Sequence, residues 1–393
     1  MKNSVNKNAI YYTRISDIPE EIWNSLDCEQ NLYFNRNFLE SIEENHPEIT
    51  FFYIVLVDKN KKPKAFASIQ IVDFYFETVK NDLESLVKKI KEFGEKLRFI
   101  PKRKPLKLLI CGNTFVSGEH GLFVKNHANK NTVIKEAAKA ILNYVNENKT
   151  LTIDAFLLKD FKKKSLAKIS ELVDFNYHPF SVEPNMVLHL DNNWLNFDDY
   201  LSALKFRVKT KRAFELSSSL EIKQVTSENI NNHLPKMAEL YKKVATNATF
   251  NLGDFNLETY KGFVKKLGDN YILKTFWLKN EMVGFMSGII NQNNLDAHFV
   301  GINYDLNKTH AVYQRMLYHY IEIAIDKKIK TLNFGRTASE IKSSVGAEPE
   351  DLTMYLRHKK SITNKILKLF LQRVQPTPFR QNFPFKKTSN EKQ

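Results

Sequence analysis

The segments on which the fold prediction depends are Tyr271-Ile-Leu-Lys-Thr-Phe-Trp-Leu278 and Met282-Val-Gly-Phe-Met-Ser-Gly-Ile-Ile290. These two apolar runs flank a short polar turn, which predicts a β-hairpin. The run Leu295-Asp-Ala-His-Phe-Val300 predicts a further strand, and Ile329-Lys-Thr-Leu-Asn-Phe334 predicts another. Between them lies a stripe of residues at helical spacing, which consists of Tyr313, Met316, Leu317, Tyr320, Ile321 and Ala324.

The first half of the chain has the same order of elements. Phe51–Val57 and Ala65–Val72 predict a hairpin, and Leu106–Cys111 and Leu151–Leu158 predict two more strands. A helical stripe lies between those two strands, and it consists of Val133, Ile134, Ala137, Ala138, Ile141 and Tyr144. The repeated order predicts a duplicated α/β fold, in which each half has a mixed central sheet and flanking helices.

The domain prediction follows from this repeat. It consists of an N-terminal domain at 1–190 with an inserted segment at 74–105, a basic helical linker at 191–219, a C-terminal domain at 220–358 and a basic tail at 359–393.

The order hairpin, strand, helix, strand resembles the core of the GNAT acyltransferase fold. Its duplication within one chain is similar to the Fem-type (FemAB-like) peptidoglycan aminoacyltransferases and other tandem GNAT proteins. Three segments carry the resemblance, namely Tyr200–Ala213 (YLSALKFRVKTKRA), Leu332–Thr337 (LNFGRT) and Ile341–Gly346 (IKSSVG). The Fem-type pattern has an aromatic residue before its lysine, whereas Ile341 precedes Lys342 here. The resemblance implies two GNAT-like domains and transfer of an acyl or aminoacyl group to an amine.

Composition limits the protein class. The 393 residues are 42% hydrophobic and 26% charged, which is ordinary for a globular protein. Two cysteines, Cys28 and Cys111, exclude a disulfide framework, and we expect no metal site. The sequence has no apolar run long enough to span a membrane and no leader of signal-peptide type, so we expect a cytoplasmic protein.

The net charge of +15 is concentrated at the C-terminus, where residues 359–393 contain nine basic residues and one acidic residue. Apolar residues from Ile362 to Val374 fall near helical spacing, with lysines and an arginine between them. Two interpretations stay open. The segment 361–393 is a peripheral contact with an anionic membrane, or its helix packs against the protein's own second domain.

The strand Leu295–Gly301 supplies the first candidate catalytic residues. Alternation places Asp296, His298 and Val300 on one face of the strand and Leu295, Ala297 and Phe299 on the other. By the resemblance, this strand splays from the strand after the helix, and donor and amine meet in the gap. His298 is then the general base and Asp296 orients it. The alternative is a half-buried polar pair with a structural role.

The resemblance also implies roles for residues around that gap. Backbone amides near Gly301 to Tyr304 would stabilise an oxyanion, and Tyr313 would protonate the leaving group. Lys342 would act beside the reacting groups, with Asn333 and Arg336 binding substrate. The alternatives are a core position for Tyr313 and a surface position for Lys342.

The basic linker is the predicted phosphate-binding element. Arg207 and Lys211 are four residues apart and share a helix face, where they would bind the phosphates of a tRNA, a nucleotide-linked acceptor or a CoA-type donor. The alternative is a solvated basic face. The segment Ile302–His310 contains no glycine, although CoA-using GNAT enzymes have a glycine-rich turn for the pyrophosphate there. Acyl-CoA and aminoacyl-tRNA therefore both remain candidate donors, and a small amine is the acceptor. The rival interpretation is a non-catalytic protein that binds an anionic ligand.

Overall fold

A computed structural model describes residues 8–75, 105–126, 128–166, 170–247 and 252–386. Its described residues form two compact units. Unit 1 comprises those within Met1–Glu183, Thr249–Asn256 and Asp351–Thr377, and unit 2 comprises those within Pro184–Ala248, Leu257–Glu350 and Pro378–Gln393. The predicted insertion at 74–105 lies almost entirely outside the described residues, as does the end of the basic tail.

Unit 1 is built on a mixed sheet with the strand order β1-β2-β3-β4-β6-β15-β7, and β5 pairs with β3. The predicted hairpin is β2–β3, and β4 and β6 run parallel. The bounds are β1 Ala9–Tyr12, β2 Thr50–Val57, β3 Pro63–Phe74, β4 Leu106–Cys111, β5 Leu122–Val124, β6 Ala155–Lys162, β7 His178–Ser181 and β15 Leu352–His358.

Unit 2 is built on a second mixed sheet with the order β14-β8-β13-β12-β11-β10-β9. The predicted hairpin is β10–β11, and β12 and β13 form the parallel pair. The bounds are β8 Asn185–His189, β9 Leu220–Gln224, β10 Tyr271–Leu278, β11 Glu281–Asn291, β12 Asn294–Ile302, β13 Thr331–Asn333 and β14 Glu348–Glu350.

Helices flank each sheet, and the α/β prediction with two mixed sheets is confirmed. In unit 1 the helices are α1 Glu20–Leu26, α2 Arg36–Asn45, α3 Lys130–Glu147, α4 Lys163–Leu166 and α12 Ser361–Leu371. In unit 2 they are α5 Phe197–Ala203, α6 Val208–Leu216, α7 Ile230–Asn247, α8 Thr259–Lys266, α9 Tyr304–His310, α10 Val312–Asp326 and α11 Ser339–Ser344. The two predicted helical stripes are the buried faces of α3 and α10, which pack on the sheet of their own unit. These faces exclude water from apolar side chains, which is the main stabilising contribution to each core.

The two sheets exchange a strand along the sequence. β8, which lies within 1–190, pairs with β13 and β14 of unit 2. β15, which lies within 220–358, pairs with β6 and β7 of unit 1. Periodicity predicts that a segment is a strand but not which strand it pairs with, so this exchange is seen only in the structure.

A β-bulge in β12 changes the predicted faces of that strand. Met286 pairs with Val300 and Gly288 pairs with Ala297, so Ser287 alone stands opposite two residues of β12. Beyond the bulge Val300 packs on the core cluster that contains Leu295. The predicted grouping of Val300 with Asp296 and His298 is therefore wrong, because the extra residue reverses the alternation.

Candidate functional site

The strands β12 and β13 separate after a short parallel pairing in unit 2. Only residues 294–296 of β12 pair with β13, namely with residues 331–333. After β13 the chain follows β8, because the amide of Phe334 donates to Met186 and the amide of Met186 donates to Gly335. β12 continues to Ile302, and among the described strands only β11 pairs with its residues 297–302. The result is a V-shaped opening with an unpaired backbone edge on one side.

Asn333 links the two strands at the point where they part. Its side-chain amide donates to Asp296 Oδ1 at 2.9 Å, and its Oδ1 accepts from the amide of Gly335 at 2.9 Å. Two of the predicted site residues, Asp296 and Asn333, are therefore in direct contact. The bonds hold the Asp296 carboxylate at the apex of the V.

Lys342 is buried, with a side chain that is 4% exposed, so the alternative of a surface lysine is wrong. Its ammonium donates to the carbonyl of Gly335 at 3.2 Å and to the carbonyl of Arg336 at 2.7 Å. A buried ammonium requires such acceptors because desolvation is otherwise costly. Asp296, Asn333, the 335–336 backbone and Lys342 thus form one hydrogen-bonded chain.

The loop between β13 and α11 is held in a backbone conformation that is unusual for residues with side chains. Gly335, Thr337 and Ala338 have φ angles of 73°, 66° and 50°. Thr337 and Ala338 carry a Cβ, and the left-handed conformation is unfavourable for them. The two bonds from Lys342 contribute to holding this loop, which borders the opening between β12 and β13.

His298 belongs to a second polar group, on the β12 face that packs on α7 and α8. Its Nδ1 lies 3.3 Å from Ser287 Oγ, which donates to the carbonyl of Phe299 at 2.9 Å. The hydroxyl of Tyr260 lies 3.0 Å from the same oxygen. Because Ser287 donates to Phe299, its lone pairs accept from Tyr260 and from an Nδ1–H of His298. That tautomer leaves Nε2 as the basic nitrogen.

Sequence reasoning did not identify Ser287 or Tyr260. Ser287 is fully buried and is the one hydroxyl in an otherwise apolar strand segment, 282–290, and this contrast is the signal that the sequence offered. Burial raises the pKa of Tyr260, so its hydroxyl stays protonated and available as a donor.

Tyr313 and Tyr304 begin the two helices that follow β12. Tyr313 packs against the core cluster of unit 2, as its apolar-stripe position suggested, and burial raises the pKa of its hydroxyl. Tyr304 is the first residue of α9 and its side chain is 43% exposed. Neither tyrosine is part of the hydrogen-bonded group around Ser287 or of the one around Asn333.

α9 occupies the segment in which a glycine-rich phosphate turn was sought. The side chain of Asn303 accepts from the amide of Asp305 at 3.1 Å, and Asn307 Oδ1 accepts from the amide of Tyr313 at 2.8 Å. Backbone amides that would otherwise be open to an anion are therefore occupied at the start of both α9 and α10. The Asp305 carboxylate in the first turn also repels a phosphate.

Arg207 and Lys211 lie on an exposed surface at α6. Arg207 donates to Ser202 Oγ at 3.1 Å, and Lys211 forms an exposed ion pair with Glu215 at 3.9 Å. α6 packs against α9 and α10, the two helices that follow β12. The structure therefore places the predicted phosphate-binding residues in the same unit as His298, but not in contact with it.

An open cleft of about 580 Å³ lies on the other side of α11 from Lys342. Residues on the exposed side of α11, Lys209 of α6 and Gln314 of α10 line it, together with Phe379 and Asn382 from the C-terminal segment. The cleft brings the basic helix and the loop after β13 to one surface of unit 2.

Three further expectations concern the whole chain. α12 contacts β15 and β7, and its buried Asn364 accepts from the amide of His358 and donates to the carbonyl of Asn176. The predicted tail helix therefore packs against the sheet of unit 1. Within the described residues, no helix is both long and apolar enough to cross a membrane, and no three His, Cys, Asp or Glu residues are grouped as metal ligands.

Comparisons with known proteins agree with this architecture. The crystal structure of FemX has 12% sequence identity and a TM-score of 0.52, covering 84% of this chain and 92% of FemX. A tandem GNAT protein from the clavulanic acid biosynthesis pathway has 9% identity and a TM-score of 0.48, covering 89% and 98%. The L-PGS structure from Bacillus licheniformis has 12% identity and a TM-score of 0.48, covering 90% and 97%.

At the level of sequence, no curated protein matches the chain. The family model FemAB-like, described as peptidoglycan biosynthesis/recognition, matches residues 105–383. The match covers more than half of the chain and includes β12, β13 and Lys342. The predicted resemblance is confirmed, and the chain belongs to the FemAB-like family.

Proposed function

We propose that the protein is a transferase that moves an acyl or aminoacyl group to an amine in the opening between β12 and β13. The observation that carries this proposal is the unpaired edge of β12 beside His298. Unpaired backbone amides can bind the carbonyl oxygen of a donor and stabilise the negative charge that develops on it. The opening also admits an amine to the face of that carbonyl.

In the proposed reaction the amine nitrogen attacks the carbonyl carbon of the donor. His298 Nε2 takes the proton that the nitrogen loses as the C–N bond forms. The C–S or C–O bond to the leaving group then breaks, and Tyr313 supplies the proton that the leaving thiolate or ribose oxygen requires. The raised pKa of Tyr313 keeps this proton on the phenol until the leaving group forms.

The other predicted residues have supporting roles in this proposal. Asp296 and Asn333 hold the apex of the opening, and Lys342 is a positioning residue for the backbone of Gly335 and Arg336. Arg207 and Lys211, with Tyr304, would contact the phosphates of the donor or of a nucleotide-linked acceptor. The family description supports an amine of a peptidoglycan precursor as the acceptor.

The donor is either an acyl-CoA or an aminoacyl-tRNA. The amides occupied by Asn303 and Asn307 disfavour a pyrophosphate at the starts of α9 and α10. The cations of α6 then remain as phosphate contacts, and these suit either donor. Assays with purified protein, labelled acyl-CoAs, charged tRNAs and nucleotide-linked peptidoglycan precursors decide between the two.

We expect transfer from one donor class, and we expect His298→Ala to lower its rate roughly 10²- to 10⁴-fold by removing the general base. His189→Ala is the matched control, because His189 is an exposed histidine of the same unit on β8. Failure of every donor, or equal rates for the wild type and His298→Ala, would contradict the proposal.

A non-catalytic binding protein is the second candidate, and the engagement of Lys342 with two carbonyls favours it. On that alternative, anionic ligands raise the unfolding temperature without any turnover. Near-normal turnover in Lys342→Ala would separately remove Lys342 from the proposed machinery.

A further inference from the structure

Two segments that are far apart in the sequence lie side by side on the surface of unit 2. The amide of Lys205 donates to the carbonyl of Pro384 at 2.7 Å, and its ammonium donates to the carbonyl of Phe383 at 3.1 Å. The amide of Lys386 donates to the carbonyl of Ala203 at 2.9 Å. These bonds join residues 203–205 to 383–386 in an antiparallel arrangement.

Large apolar side chains project into solvent from these two segments. Phe206 is 79% exposed, Val208 is 75% exposed and Phe383 is 66% exposed. Exposure of isolated apolar residues is ordinary, but the backbone bonds place Phe383 beside the segment that carries the other two. The three side chains therefore form one exposed apolar group.

Cations surround this apolar group. Lys205, Arg207 and Lys386 are exposed and belong to the same two segments. The next turn of α6 adds Lys209, Lys211 and Arg212, and no acidic residue occurs between 205 and 212. We call Lys205–Val208 together with Phe383–Lys386 the docking surface.

The docking surface is part of the folded unit, not a loose segment. Behind it the hydroxyl of Thr210 lies 3.0 Å from that of Tyr318, and both residues are buried. Phe385 faces inward, with its ring centroid 5.4 Å from that of Trp194 and 5.9 Å from that of Tyr200. Neighbouring residues are thus anchored while Phe206, Val208 and Phe383 stay in water.

We infer that the docking surface binds an anionic lipid bilayer. At such an interface apolar side chains enter the acyl boundary while lysine and arginine meet the anionic headgroups. A nucleic acid would match the charge but not Val208, which has no aromatic face on which a base can stack. A protein partner would match the apolar residues, but the cores of protein interfaces are depleted in lysine. The inference is independent of the transfer reaction.

The test is co-sedimentation of the full-length protein with two kinds of vesicle. One kind is phosphatidylcholine alone and the other is phosphatidylcholine mixed with phosphatidylglycerol. We expect binding to the anionic vesicles that weakens as salt is added, because the cations act through screened charge. The triple variant Phe206→Ser, Val208→Ser, Phe383→Ser should lower the partition coefficient by about tenfold or more.

The control uses the other exposed apolar and basic element, α12. Ile362 and Leu369 are 64% and 61% exposed there, so Ile362→Ser with Leu369→Ser matches the first variant in chemistry and exposure. This variant should retain wild-type binding. All substituted residues are exposed, and unchanged unfolding temperatures check that each variant is folded.

Three outcomes overturn the inference. They are absence of wild-type binding to anionic vesicles, wild-type binding by the triple variant, and loss of binding in the α12 variant instead. A Phe206→Trp protein gives a second measurement. Its added emission should shift to shorter wavelength on anionic vesicles, and an unshifted emission shows that the side chain stays in water.

Discussion

The parallel pairs β4–β6 of unit 1 and β12–β13 of unit 2 have the same position in their sheets, but their carboxyl ends differ. In unit 1, residues 108–111 pair with 155–158, and the chain after β4 folds over the end of the pair. The ammonium of Lys159 donates to the carbonyl of Val116 at 2.8 Å and also contacts Asp160, which accepts from the amide of Gly118. This end is closed by the protein's own loop.

In unit 2 the corresponding end is open, because β13 stops at Asn333 while β12 continues. The closure of unit 1 also requires close backbone packing. At Gly112, where φ is 155°, a Cβ would lie 2.7 Å from the Cβ of Lys159. The comparison indicates that one copy of the repeated order serves stability and that the other provides space for a substrate. The predictions below test this division.

The largest expected effect is at the closed end, in Lys159→Met. Lys159 is 4% exposed and Asp160 is fully buried, so the variant leaves a buried carboxylate without its cation. Such a loss costs about 3–5 kcal/mol, which should appear in urea unfolding. Transfer activity per folded molecule should be unchanged. Lys164→Met, an exposed lysine of the same unit, is the control, and a similar small effect in both variants would end the assignment of closure to this ion pair.

The open end should respond to Asn333→Asp, which places a second carboxylate against Asp296. Repulsion raises the pKa of one carboxyl above its value in the unfolded chain and costs about 1–3 kcal/mol at neutral pH. The penalty is complete above the raised pKa and disappears as pH falls below the unfolded value.

Asn333→Leu is the reference for this variant, since it loses the same hydrogen bonds without adding charge. Its penalty should not change over that pH range. Parallel pH profiles for the two variants would show that Asp296 is not charged at the apex.

The smallest expected effect concerns pH and His120 at the closed end. Burial, and after it the ammonium of Lys159, lowers the pKa of His120 to about 3. The unfolded chain binds the proton below a pH of about 6.5, and the native chain does not, so stability falls as pH decreases from that value. His120→Phe should remove about 1–2 kcal/mol of the stability lost between pH 7 and pH 5.

The ring of His120 packs on Tyr33 at a centroid distance of 3.8 Å, and phenylalanine retains an aromatic contact there. His189→Phe, on the exposed side of unit 2, is the control. Equal pH slopes in urea unfolding for the wild type and His120→Phe would contradict the buried, neutral state of His120.

Predictions from the sequence succeeded where a local pattern carries the information. The hairpins, the two buried helix faces and the separation of β12 from β13 all depend on periodicity or on element order. The shift of Val300 to the other face was missed because a bulge adds one residue without changing composition. The burial of Lys342 was missed because its acceptors are backbone carbonyls, which every sequence has.

Residues that meet only after folding account for the rest. Ser287 and Tyr260 are 27 positions apart and join His298 through one hydroxyl oxygen. Phe383 lies beside the segment that begins at Lys205, 178 positions away. Neither grouping has a spacing that a periodic pattern can reveal.

Side-chain periodicity, charge and the order of elements identified the repeated α/β architecture, the family and the strand that carries His298. Those properties are local, because each depends on residues within a few positions of one another. Strand exchange, the closed and open ends, and the docking surface arise from pairing between distant segments. Such pairing depends on which edges and apolar faces are available in the folded chain, and local sequence does not encode that.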